Sequence, residues 1–208
     1  MDRTYAGVSG EQRRAARRAA LAEAALDLVT EGGWDRVTVR AVCARARLND
    51  RYFYESFTDR DALLLAVVDD VAQGGLQAFL RAIEDSSPDL DVRVRAVVVA
   101  VIDYFVADPR RGHLVFAARE ELRSRRQDMI RLLAGIVADQ STELLGDRAA
   151  AEPDRTLGAV TMVSGTMEVF TSWLRGEVDV TRDHLEDFLV AMLLTSGDLA
   201  AALRRQRG

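Results

Sequence analysis

Apolar residues recur at intervals of three and four along almost the whole chain. In RRAARRAALAEAALDLVTEGG the positions Leu21, Ala24, Ala25, Leu28 and Val29 form one such stripe, which predicts an amphipathic helix with a single buried face. Gly32 and Gly33 follow as its stop. Its arginines cluster at the N-terminal end, where they oppose the helix dipole, so they are not there for helix stability. Thr38 is placed to cap a short second helix from Val39 to about Arg45, with Val39, Val42 and Cys43 on one face. After a tight turn at Ala46 to Leu48, Asn49 can cap a third short helix reaching about Ser56. Phe53 and Phe57 stand four apart there and point the same way, which turns Arg51, Tyr52 and Glu55 elsewhere, toward solvent or a partner.

Thr58 with Asp61 three residues later predicts a capping-box-like start to a long fourth helix, which runs through Leu63, Leu64, Val67, Val71, Phe79, Leu80 and Ile83 to a break at Ser86 to Asp89. The prolines punctuate the rest of the chain: Pro88 opens a segment 90–107, Pro109 follows the cap residue Asp108, and Pro153 opens 153–175. Further helices are predicted at about 110–117, 119–145 and 181–204. RAVVVAVIDYF is β-branched, but its length and charged flanks favour a buried helix. The pattern therefore predicts an all-α fold of about nine helices. In the last one Leu185, Phe188, Leu189, Met192, Ser196, Leu199 and Leu203 line one stripe, while Val190, Leu193 and Leu194 extend the apolar surface to another side. Gly158, Gly165 and Ser172 recur every seven residues in the helix before it. Both features fit a four-helix bundle formed between two subunits.

Composition narrows the class. Of 208 residues, 49% are hydrophobic and 29% charged, the balance of a soluble globular protein. Cys43 is the only cysteine, which excludes an intramolecular disulfide and fits a reducing cytosol. The N-terminus lacks a hydrophobic signal core, and the longest aliphatic run, Ala96 to Ile102, falls far short of the roughly 20 residues that span a bilayer. A cytoplasmic protein with no membrane partner is expected. The formal net charge is −5, but residues 1–61 hold 11 Arg against 10 acids and the remainder 17 against 23. Between Arg36 and Arg51 the contrast is sharper, with Arg36, Arg40, Arg45, Arg47 and Arg51 against Asp50 alone. That is the footprint of a local anion-binding patch. His113 and His184 are too few and too far apart for a metal site, and neither a glycine-rich phosphate loop nor a nucleophile elbow occurs, so no metal or cofactor is expected. An enzyme remains conceivable only as a helical bundle whose site is assembled from scattered residues.

Three short N-terminal helices, the second and third joined by a tight turn, form a helix-turn-helix pattern whose third helix can enter the major groove of DNA. The residues that fill it resemble those of the tetracycline-repressor (TetR) family of bacterial transcriptional regulators. The resemblance rests on the first helix ending in EGGW, on VTVRAVCARA as the second helix, on LNDRYFYESF as the recognition helix, and on TDRDALL opening the fourth. It covers about 50 residues. It implies that Thr38, Arg40, Tyr54 and Arg60 grip the DNA backbone, while Asn49, Asp50, Arg51 and Tyr52 occupy the groove-facing start of the third helix. Arg47 replaces the family's turn glycine, so the turn either holds a non-glycine residue at positive φ or takes another geometry. Ser56 stands where a phosphate-contacting His or Tyr is common. Asp50 stands where a Lys is common, and can accept from cytosine N4 or orient Arg51.

The resemblance further implies a DNA-binding domain over residues 1–57, a ligand-binding and dimerisation domain over 58–208, a homodimer through the last two long helices, and an effector pocket. Tyr104, Phe105, Phe116, Met129, Met162, Met167, Phe170 and Trp173 are the pocket candidates, each of which serves equally well as plain core. Gly74 and Gly75 offer a bend through which an occupied pocket could swing the DNA-binding part. The expected function is a repressor released from a palindromic operator by a small, largely apolar effector. A helical enzyme or a ligand-sequestering protein is the alternative.

Overall fold

The computed structural model describes residues 9–115, 120–195, 202–203 and 205–206. Among them are nine α-helices and no strand: α1 (Gly10–Gly32), α2 (Val39–Ala46), α3 (Asp50–Tyr54), α4 (Arg60–Asp85), α5 (Leu90–Val106), α6 (Arg110–Val115), α7 (Glu120–Leu145), α8 (Asp154–Leu174) and α9 (Arg182–Thr195). The period of three and four thus translates directly into helices.

Their starts are set by local side-chain chemistry. The Ser9 hydroxyl accepts from the Gln12 amide while the Gln12 side chain accepts from the Ser9 amide, a complete capping box. Thr38, Asn49 and Asp89 accept from the amides of Ala41, Tyr52 and Val92 at 3.2, 3.2 and 3.0 Å. Each such cap contributes about 1 kcal/mol. The expected start of the fourth helix is corrected by one residue. Asp59, not Thr58, caps α4, its Oδ1 accepting from the Ala62 amide at 2.7 Å, because a carboxylate suits the positive end of a helix better than a hydroxyl does. Asp61 instead takes Arg60, at 3.0 and 2.8 Å.

The chain divides into two compact units, Met1–Gly74 with Asp108–Ala117, and Gly75–Ala107 with Ala118–Gly208. In the first, α1 packs against α2, α3 and α6. Its centre is Leu21, Val37, Val42, Phe53, Leu63 and Leu64, all essentially out of contact with water. Arg110 ties α6 to α1 through Glu23 at 2.7 Å and Asp27 at 2.5 Å, and also holds Asp108 at 2.8 Å. In the second unit α7 packs against α8, and α9 against α5 and α8. Val98, Ile102, Ala134, Ala159, Val163, Leu185 and Leu189 are buried there.

One expectation for the second unit changes. Val190 is buried with Leu185 and Leu189, whereas Phe188 remains 49% exposed. Because α9 lies against both α5 and α8, its buried face is broad enough to take in Val190, and Phe188 falls outside it. Ser196 and Leu199, expected on the same stripe, lie outside the described residues. At the place of the expected bend, α4 stays helical through Gly74 and Gly75. A methyl on Gly75 would meet the Phe105 ring at an ordinary 3.5 Å. Of the described helices, α4 alone is long and apolar enough to cross a membrane by length and composition; Asp69 and Asp70 interrupt it, and Leu63, Leu64, Val67, Val68 and Val71 are buried within the protein.

Candidate nucleic-acid interface and ligand cavities

The second and third helices meet in the turn that the sequence left open. Arg47 adopts the left-handed conformation, φ 55° and ψ 38°. Its amide donates to the Ala44 carbonyl at 3.3 Å and that of Leu48 to the Cys43 carbonyl at 2.9 Å. A residue with a Cβ costs energy there, which the closing hydrogen bonds and the flanking caps offset. The chain then re-enters helix at Asn49, whose side-chain oxygen caps α3.

Phe53 and Phe57 anchor α3, with ring centres 5.9 Å apart and both rings buried. Their burial fixes what the opposite face presents: Asp50, Arg51 and Tyr54 are exposed, Tyr54 at 61%, and Tyr52 is half-buried. Two of the arginines of α1 that oppose its dipole contact the region of α3. Arg17 lies over the Tyr52 ring at 4.4 Å and pairs with Glu55 at 3.5 Å. Arg18 lies over the Phe57 ring at 4.3 Å and donates to the Ser56 carbonyl at 3.0 Å. They brace α3 against α1.

The basic patch is narrower than composition suggests. Arg45 is held within the unit by Glu31 at 2.6 Å and Asp27 at 3.2 Å. Arg51 shares its cation with Glu55 at 3.1 Å, although its side chain is 83% exposed. Arg60 is half-buried and turned to Asp61. Arg40 and Arg47 are exposed and pair with no described acid. Thr38 keeps its hydroxyl proton for an outside acceptor after capping α2, and Asn49 keeps its amide NH2 after capping α3. Asp50 does not orient Arg51, whose partner is Glu55. The buried Cys43 thiol is pushed up to about 11, first by burial and then by the Asp50 carboxylate.

The second unit contains two adjoining apolar cavities, enclosing about 740 and 640 Å³ when the space open to solvent is included. They share Phe79, Val97, Val137 and Leu193 as walls. Of the candidates read from the sequence, Met162 lines the first cavity, and Met167 and Phe170 line the second. Tyr104, Phe105, Met129 and Trp173 line neither. Phe105 and Trp173 pack on Phe170 with ring centres 5.5 and 6.2 Å away, Tyr104 packs edge-on against Phe105 at 5.1 Å, and the Trp173 indole N–H donates to the Val180 carbonyl at 2.9 Å. Phe116 lies outside the described residues. Sequence reasoning passed over Arg93 and Gln140, which line the first cavity and bond to each other at 2.6 Å. The available signal was a charged residue four before Val97, on the helix face that carries the aliphatic Val97 and Val101.

Residues 21–67, from the middle of α1 into α4, match the family model for bacterial regulatory proteins of the tetR family. No curated protein matches the chain in sequence. Among solved structures, a TetR-like transcriptional regulator from Rhodococcus sp. RHA1 superposes with a TM-score of 0.64 at 17% identity, covering 93% of this chain and 97% of that one. The transcriptional regulator FadR from Bacillus subtilis, solved with stearoyl-CoA, gives 0.71 at 16% identity over 86% and 98% of the two chains. AibR, solved with isovaleryl coenzyme A and operator DNA, gives 0.62 at 17% identity over 85% and 97%. At these identities the likeness is one of fold, whereas the match over residues 21–67 is one of sequence. Residues 21–67 are thus similar in sequence to the bacterial regulatory proteins of the tetR family, and the chain as a whole shares the fold of these solved transcriptional regulators.

Proposed function

We propose that the protein is a ligand-responsive, homodimeric repressor of transcription that leaves a near-palindromic operator when an apolar effector occupies the cavities of the second unit. The reading rests chiefly on α3, where burial of Phe53, with Phe57 just beyond the helix, leaves Asp50, Arg51 and Tyr54 exposed, and on the exposed Arg40 and Arg47, which pair with no described acid. In this reading Thr38, Arg40, Tyr54 and Arg60 hold phosphates, and Asn49, Asp50, Arg51 and Tyr52 face base edges in the major groove. Two protomers joined through α8 and α9 would set their α3 helices about 34 Å apart, one turn of the duplex. The protein would act in the cytoplasm, where Cys43 stays reduced. Support for the ligand response comes from the cavities and from AibR and FadR, which share the fold and were solved with acyl-coenzyme A ligands. An effector acts by preferring the protein state whose recognition helices do not fit the operator, since only a difference in affinity moves the equilibrium. Fluorescence anisotropy on the intergenic DNA beside the gene tests the reading. An inverted repeat should be bound in a salt-sensitive way and preferred over competitor DNA at physiological salt. Equal binding to both would refute it.

A further inference from the structure

Arg93 sits in the apolar wall of the first cavity and is only 9% exposed. Its contacts with described residues all run through Nη1, to Gln140 at 2.6 Å and Glu143 at 3.6 Å. Nε is buried and has no partner. A buried cationic donor left unmatched is costly, and the protein does little to match it: Gln140 is neutral, and Glu143 is distant and 60% exposed. The Nε edge of a guanidinium is a planar fork that fits a carboxylate with two parallel hydrogen bonds. Apart from Arg93, Gln140 and Ser141 the first cavity is lined by apolar residues, and this lining continues through Phe79, Val97, Val137 and Leu193 into the second cavity. That cavity has a single polar orphan, the Thr166 hydroxyl. A threonine hydroxyl can turn to a carbonyl of its own helix, so Thr166 does not call for a polar ligand group.

We propose that Arg93 anchors the head group of a medium-chain aliphatic carboxylate whose hydrocarbon tail fills the second cavity. The length follows from α5, which lines both cavities. From Arg93 to Ile102 is nine residues, a rise of roughly 13 Å along the helix axis, the reach of a chain of about ten carbons. The proposal deepens the ligand-responsive reading and rests on it for its biological meaning.

Isothermal titration of the full chain with decanoate, 1-decanol, methyl decanoate and decanoyl-CoA tests it. Decanoate should bind tighter than 1-decanol and methyl decanoate by roughly tenfold or more, the worth of a charge-assisted hydrogen bond. Arg93→Met should weaken decanoate by a similar factor and leave 1-decanol unchanged, and Arg93→Lys should recover part of the loss. Equal binding of decanoate and 1-decanol by the wild type would overturn the proposal, and that comparison decides even if Arg93→Met does not fold. Unchanged decanoate binding by Arg93→Met, or an equal loss for both ligands, would overturn it too. Decanoyl-CoA binding more tightly than decanoate, with the same dependence on Arg93, would replace the carboxylate by a thioester and overturn it as stated. Adding operator DNA separates the two claims. Decanoate that binds through Arg93 without releasing DNA leaves the site standing and defeats the ligand-responsive reading. DNA released by 1-decanol but not by decanoate does the reverse.

Discussion

The Arg17 guanidinium, on α1, lies 4.4 Å from the centre of the Tyr52 ring on α3 and 3.5 Å from the Glu55 carboxylate one turn further along. One side chain thus holds an aromatic and an acid of the candidate recognition helix. Removing it in Arg17→Ala should destabilise the helix-turn-helix by about 0.5–1 kcal/mol, the worth of a partly exposed cation–π contact. Tyr52 would then be free to rotate, so the affinity for operator should fall more than that for a scrambled duplex. Thermal melting and anisotropy on both duplexes check this. Equal losses would mean that Arg17 contacts phosphate instead of bracing Tyr52.

Glu55 competes with DNA for cations. It holds Arg51 at 3.1 Å as well as Arg17, and a duplex approaching Arg51 must draw it from that carboxylate. Glu55→Gln removes the competitor and a negative charge next to the groove. Affinity for any duplex should rise several-fold at low salt, and the gain should shrink as salt screens the charges. Titrations at several salt concentrations measure it; an affinity unchanged at every salt would show that Glu55 does not compete with the duplex for Arg51.

The fold was legible because each helix announces itself within a few residues. The apolar period covers every element, and Thr38, Asn49 and Asp89 cap from chemistry that is local to them. Where two neighbours can both cap, local chemistry no longer decides, and Asp59 displaced Thr58. Charge roles were less legible. Arg45, Arg47 and Arg51 look alike along the chain, yet Arg45 is consumed by Asp27 and Glu31 from another helix, which only packing reveals. The cavities show the same limit. Met162, Met167 and Phe170 line them and Tyr104, Phe105, Met129 and Trp173 do not, though all are apolar residues at helical positions. Arg93 meets its partner Gln140 across 47 residues of sequence.

Cys43 gives a pH dependence with a definite sign. In the unfolded chain its thiol titrates near 9, and in the fold burial and Asp50 push it up to about 11. Between those values the folded protein keeps a proton that the unfolded chain has lost, so stability is complete below pH 9 and falls as the pH rises toward 11. The loss is on the order of 1.4 kcal/mol per pH unit across that window. Urea unfolding of the wild type and Cys43→Ala from pH 8 to 11 isolates the effect, because every other titrating group is common to both. The difference in stability should shrink as pH rises. A constant difference would show that the thiol does not titrate differently in the two states.

Leu157 and Val160 on α8 and Phe188 on α9 are 61, 38 and 49% exposed within the protomer, and a methyl built on Gly165 would touch nothing. Apolar side chains left bare on two adjacent helices fit the proposed subunit interface. Burying a carboxylate there without a partner costs several kcal/mol. The double variant Leu157→Glu and Phe188→Glu should therefore run as a monomer in analytical ultracentrifugation, where the wild type should run as a dimer, with unchanged helical circular dichroism. A single protomer still presents α3 and its arginines, so weak binding to random DNA should survive. Operator binding should collapse, because half-sites about 34 Å apart reward only two recognition helices joined in one particle. A double variant that remains dimeric would place the interface on another surface. A monomer that keeps full operator affinity would show instead that a single α3 supplies the recognition.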